Sequence, residues 1–159
     1  MTHTDPTQHP TQHPYGEPTG WLELGDCTLP HWRIGPDSDG PDPTSPDSTS
    51  PDSSNGPAPD VVLVHGWPLD SRTWRHLVPR LSRTYTCHLI DLPGTGLSRW
   101  DRDTEIGLAE NARTLRKAID AIGLESYAMI AHDSGATFTR LVAAEDPERV
   151  RAMIVGNTE

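Results

Sequence analysis

A chain of 159 residues has room for one domain, yet only 33% of it is hydrophobic and its net charge is −10. That charge balance argues against nucleic acid as a partner. With no basic region ahead of an apolar run and no apolar stretch long enough to span a bilayer, neither a signal peptide nor a membrane segment is expected. Cys27 and Cys87 lie in different expected elements without metal-type spacing, so they read as reduced thiols of a cytoplasmic protein, with no metal and no cofactor.

Residues 1–20 carry a tandem Thr-Gln-His-Pro, at Thr7 to Pro10 and Thr11 to Pro14. Proline-punctuated polar repeats do not hold ligands in fixed geometry, so a disordered tail is expected over 1–20 rather than a histidine metal site. The domain proper is expected over 21–159. Short strands are predicted at Trp21 to Leu24 and Thr28 to Ile34, where apolar and polar residues alternate around Gly25-Asp26. Residues 35–60 then run almost wholly in Pro, Asp, Ser, Thr and Gly. Asp37, Asp39, Asp42, Asp47, Asp52 and Asp60 supply six of the ten net negative charges, with no Lys or Arg. Such a stretch cannot bury enough apolar surface to offset its ordering entropy and reads as a disordered acidic insertion.

After it the pattern changes. Val61-Val62-Leu63-Val64 is a continuous apolar run, as in a strand buried on both faces. Ser71 is placed to cap a helix bearing Trp74, Leu77, Val78 and Leu81, with Pro79 implying a break. A strand follows at Tyr85 to Ile90. Leu108, Ala112, Leu115, Ile119 and Ile122 step by four, three, four and three, an amphipathic helix ended by Gly123. Strand Tyr127 to Ala131, helix Gly135 to Ala144 and a sixth strand at Arg151 to Val155 complete the order. Strands alternating with helices give an α/β fold, a mostly parallel sheet with helices on both faces.

Two turns carry chemistry. Ala131-His132-Asp133-Ser134-Gly135-Ala136 joins a strand to a helix with small residues two before, two after and three after Asp133, the pattern of a nucleophile elbow. With Ser134 as nucleophile, the bulky His132 would fall on a position that must be small, so the register selects Asp133. The following helix N-terminus favours an ionised carboxylate there. Capping that helix is the plainer role for Asp133. The second turn, His65-Gly66-Trp67-Pro68, closes strand Val61–Val64. The backbone N–H groups of Trp67 and Ser134 are the expected oxyanion donors, worth about 3–4 kcal/mol each where water is excluded. His65, Trp67 and Pro68 are candidates to line the substrate pocket. His65 is a candidate base, though hydrogen bonding within its own turn is the simpler role; His132 reads as packing and Asp91 as a turn carboxylate.

These two turns, with Asp91-Leu92-Pro93-Gly94-Thr95-Gly96-Leu97-Ser98, resemble the α/β-hydrolase superfamily. The likeness is to its aspartate-nucleophile branch of epoxide hydrolases, haloalkane dehalogenases and haloacetate dehalogenases. The resemblance implies Asp133 as nucleophile, a covalent alkyl-ester intermediate and a small-molecule substrate. Ser134 departs from the Trp of haloalkane dehalogenases and the Arg of haloacetate dehalogenases. The resemblance also implies eight strands, a cap domain after the sixth, and a triad acid and histidine base beyond it. This sequence stops after its sixth strand, so it reads as the N-terminal half of such a fold. Two expectations follow: an active hydrolase, or a catalytically incompetent half that self-associates through its exposed sixth strand.

Overall fold

The computed structural model describes residues 13–36 and 57–157. Among them seven strands form one sheet: β1 (Gly20–Glu23), β2 (Cys27–Ile34), β3 (Asp60–Val64), β4 (Thr86–Ile90), β5 (Arg99–Trp100), β6 (Tyr127–His132) and β7 (Val150–Gly156). The order is β1-β2-β4-β3-β6-β7, with β5 beside β2. Neighbours among β4, β3, β6 and β7 run parallel, while β1, β4 and β5 each meet β2 antiparallel. The helices are α1 (Val78–Leu81), α2 (Leu108–Ile122) and α3 (Ser134–Glu145).

The apolar run of β3 explains its central place. Alternate side chains leave opposite faces of a strand. Val62 and Val64 join Leu115, Ala118 and Ile119 of α2 and Phe138 and Val142 of α3 on one face. Val61 and Leu63 meet Trp32, Trp74 and Val78 on the other. Each such side chain, fully buried, contributes roughly 1.5–3 kcal/mol. α2 ends where predicted, at Gly123, whose φ of 82° is the left-handed conformation that glycine adopts most readily.

Several expectations change. Ser71 does not cap the segment after β3: Asp70 does, its carboxylate accepting from Arg72 N at 2.9 Å. A 3₁₀ turn over Ser71–Trp74 stands apart from α1, which restarts with Pro79 in its first turn. The last strand is seventh, because β5 adds two exposed residues that show no alternation to read. The tail expected over 1–20 is placed from His13 onward. His13 stacks on Trp32 with ring centroids 4.2 Å apart, and Trp32 Nε1 donates to Gly16 O at 3.1 Å. A buried indole thus offers these polar residues both an apolar plate and a donor. Of the insertion expected over 35–60, residues 37–56 lie outside the described residues, and Asp60 already opens β3. β7 pairs only with β6 among the described residues, and Arg151 to Ile154 are exposed.

Candidate functional site

β3 and β6 are parallel neighbours in register, Val64 opposite Ala131, so the turns that follow them emerge side by side at one end of the sheet. The sequence places a glycine in each turn where the other crowds it. A Cβ on Gly66 would lie 2.5 Å from Asp133 Cβ, and one on Gly135 would lie 2.5 Å from His65 O and 2.6 Å from Val64 O. The small residue two after Asp133 is therefore demanded by the backbone of the neighbouring strand. Ala131 and Ala136 are buried.

Asp133 has φ 55° and ψ −133°, outside the helical and extended regions. A non-glycine residue there stores of order 1–3 kcal/mol of strain, held by its surroundings. Asp133 N donates to Gly156 O at 3.1 Å, and Ala136 N to Asp133 O at 2.9 Å. It is the residue at the apex of the bend, while Ser134 is already helical. Its Oδ1 accepts from Ser134 N. Its Oδ2 has no hydrogen bond among the described residues. The carboxylate therefore caps α3 with one oxygen and leaves the other without a partner among the described residues.

The N–H groups nominated as oxyanion donors both meet at this point. Ser134 N holds the Asp133 carboxylate, whereas Trp67 N donates to Ser134 Oγ at 2.8 Å.

His65 is buried and doubly engaged. Its Nε2 accepts from Leu92 N at 3.1 Å, so the proton sits on Nδ1, which donates to Gly66 O at 3.1 Å. Burial lowers its pKa; the Gly66 bond, Asp91 and Asp70 act more weakly in the opposite sense. Neither nitrogen is free to take a proton from a water over Asp133, so His65 fastens its own turn to the loop that begins at Leu92. Asp91, fully buried, accepts from Ser71 N at 2.8 Å and Leu97 N at 2.9 Å, which makes it a loop-holding carboxylate. His132 closes β6 with its Nδ1 buried and without a hydrogen-bond partner among the described residues.

Above the Asp133 carboxylate opens a cavity of about 420 Å³, a size suited to a small molecule. Asp133, Ser134 and His65 line it together with Trp67, Leu92, Pro93, Phe138 and the start of α2. Pro68, a candidate from sequence, is not among the lining residues; its peptide bond with Trp67 is cis. Asn111 lines the cavity and was missed. Its Nδ2 donates to Ile106 O at 2.8 Å, and its Oδ1 is buried without a partner. The available signal was an Asn three residues after Leu108, on the apolar stripe of an amphipathic helix. Among the described residues, no group of three or more His, Cys, Asp or Glu could hold a metal ion, and no helix is long and apolar enough to cross a membrane.

Residues 59–158 match the profile of the family described as alpha/beta hydrolase fold. A pimeloyl-[acyl-carrier protein] methyl ester esterase of Aeromonas hydrophila is 33% identical over 99 residues, covering 62% of this chain and 37% of that protein. Haloalkane dehalogenase 2 of Mycobacterium tuberculosis is 32% identical over 103 residues, covering 65% and 36%. A solved Pseudomonas aeruginosa structure, described as an epoxide hydrolase, superposes with a TM-score of 0.64 at 27% identity, covering 86% of this chain and 39% of that one. The chain thus spans under two-fifths of the length of these three relatives.

Proposed function

The chain belongs to the alpha/beta hydrolase fold family, and from that premise we propose that it carries the nucleophile of a hydrolase acting on an epoxide or a carbon–halogen bond. The single observation behind this reading is Asp133 at the apex of the elbow, with Oδ1 held by Ser134 N and its side chain lining an apolar cavity. Relatives named as a haloalkane dehalogenase and an epoxide hydrolase support it, while an esterase relative keeps ester substrates in view.

In this mechanism Oδ2 attacks an electrophilic carbon, and the bond from that carbon to oxygen or halogen breaks. An alkyl ester forms on Asp133, and an activated water then cleaves it. The Ser134 N–H stabilises Oδ1 throughout. Trp67 and Leu92 exclude bulk water and hold the apolar part of a small substrate.

A second reading, a chain that reacts at most once, is favoured by the state of His65. It is the one histidine lining the cavity among the described residues, and both its nitrogens are bonded. Incubation with styrene oxide followed by intact-mass analysis tests both readings. An adduct on Asp133, absent in Asp133→Ala, is expected. Its complete absence in the native chain would sink the nucleophile assignment, and several turnovers per chain would sink the single-reaction reading.

A further inference from the structure

Of the two backbone donors beside Asp133, only one reaches the carboxylate. Ser134 N donates to Asp133 Oδ1, but Trp67 N, on the opposite wall, donates to Ser134 Oγ at 2.8 Å. The carboxylate lies beside the turn that carries this donor. A Cβ placed on Gly66, the residue before Trp67, would lie 2.9 Å from Asp133 Oδ1, so the carboxylate lies against the residue whose peptide bond carries the Trp67 amide. With Ser134 Oγ removed, Asp133 Oδ1 and the His132 carbonyl are the elbow acceptors that remain against this peptide.

We propose that the Ser134 side chain is a competing acceptor that withdraws the Trp67 N–H from Asp133, leaving a strong nucleophile whose ester is slow to hydrolyse. The proposal rests on Asp133 being the nucleophile, and it identifies Ser134 as the positioning residue that sets the relative rates of the two steps.

With a terminal epoxide the steps balance as follows. A lone pair of Oδ2 forms a bond to the epoxide carbon, the ring C–O bond breaks, and its electron pair goes to the ring oxygen, which takes a proton from water. Each donor on the carboxylate weakens it as a nucleophile, so one donor favours this step over two. In the second step water attacks the carboxyl carbon of the ester, and the carbonyl pair moves onto Oδ1. The water's proton passes to buffer base. The intermediate then collapses: Oδ1 re-forms its double bond and the bond from the carboxyl carbon to Oδ2 breaks. Oδ2 leaves as a hydroxyl of the diol, taking the remaining proton of the attacking oxygen, which stays behind in the Asp133 carboxylate. Here negative charge develops on Oδ1, where a second donor accelerates the reaction. Loss of one such donor costs about 10²–10³ in rate in other hydrolases. A hydroxyl that diverts Trp67 N thus favours formation of the ester over its cleavage.

The test compares the native chain with Ser134→Ala and Ser134→Thr, the latter keeping a hydroxyl. Styrene oxide is added, then removed by gel filtration, and the Asp133 adduct is followed by intact mass. In Ser134→Ala the adduct should decay at least roughly tenfold faster and form no faster; Ser134→Thr should match the native chain. Equal or slower decay in Ser134→Ala would overturn the proposal. The amide resonance of Trp67 gives a readout that needs no chemistry. It should be protected from exchange in the native chain. In Ser134→Ala its shift should follow a carboxylate titration that Asp133→Asn abolishes. A Trp67 amide that exchanges freely in the native chain, or that ignores Ser134→Ala, refutes the diversion. If no adduct forms in any variant, the nucleophile reading fails, and with it the kinetic role of Ser134, while the amide resonance still decides the hydrogen bond.

Discussion

Buried His31 on β2, buried His88 on β4 and half-buried Asp60 at the start of β3 form a line across three strands, and replacing His31 with Gln should flatten the acid side of the stability profile. His31 Nε2 lies 3.0 Å from His88 Nδ1, and His88 Nε2 lies 2.8 Å from Asp60 Oδ1. With Asp60 as acceptor, His88 carries its proton on Nε2 and accepts from His31 on Nδ1. Both rings are therefore neutral when the line is intact. Burial is the main cause that lowers the His31 pKa, from 6.5 to about 4, with His88 and Arg33 adding to it. His88 is lowered too, by burial first, with Arg33 in the same sense and Asp60 opposing. Between pH 6.5 and pH 4 the unfolded chain binds more protons than the folded one, so the stability present above the unfolded value is lost as pH falls to the folded one. A shift of this size corresponds to about 3 kcal/mol in full, and to about 2 kcal/mol between pH 7 and pH 5. Urea denaturation at those two pH values measures it. The native midpoint should fall by about 1 M more than that of His31→Gln, given the usual slope of about 1–3 kcal/mol per molar. The comparison is of slopes, so a uniform destabilisation of the variant does not disturb it. Parallel pH dependences for the two proteins would refute the reasoning.

Gly135→Ala should lower the melting temperature and abolish the styrene oxide adduct, because its Cβ meets the backbone oxygens of His65 and Val64 rather than a flexible side chain. Overpacking of this kind costs typically about 1–3 kcal/mol; an unchanged melt would contradict the contact. β7 is expected to mediate self-association, since Ile154 is 65% exposed and Met153 37% on a strand paired on one side only among the described residues. Ile154→Lys should shift sedimentation toward monomer, charge being a common guard of open strand edges. A native chain that stays monomeric at high concentration would count against this use of the edge.

The parts of the fold legible in sequence are those whose signal is local. The β3 run announced a strand buried on both faces because each of its side chains must meet a core. The helical steps from Leu108 to Ile122, stopped by Gly123, needed only the helix period and one left-handed residue. Pro79 marked the break before α1 because it removes a backbone donor. The cap before it was misplaced by one residue, since Asp70 and Ser71 are both good caps and only the fold decides between them. The docking of His13 to Gly16 was beyond reach: nothing in a Thr-Gln-His-Pro repeat foretells that Trp32 offers it an indole face and an N–H.

The elbow shows where this local logic ends. Small residues around Asp133 are readable because the backbone of β3 leaves no room for larger ones at Gly135, whatever the reaction. The same constraint brings Gly66 against Asp133 and the two turns into contact. It leaves undecided how the donors are shared once they meet. Trp67 N and Ser134 Oγ are 67 positions apart in the chain, and the hydroxyl wins that donor only because the elbow turns Ser134 toward the opposite wall. Counting two N–H groups from sequence therefore overstates what Asp133 receives. The backbone pattern identifies the fold and the residue at the apex of the elbow, which is the nucleophile in the proposed function. The side chain after Asp133, free of that steric constraint, is where the proposal on Ser134 puts the adjustment of how this carboxylate is held.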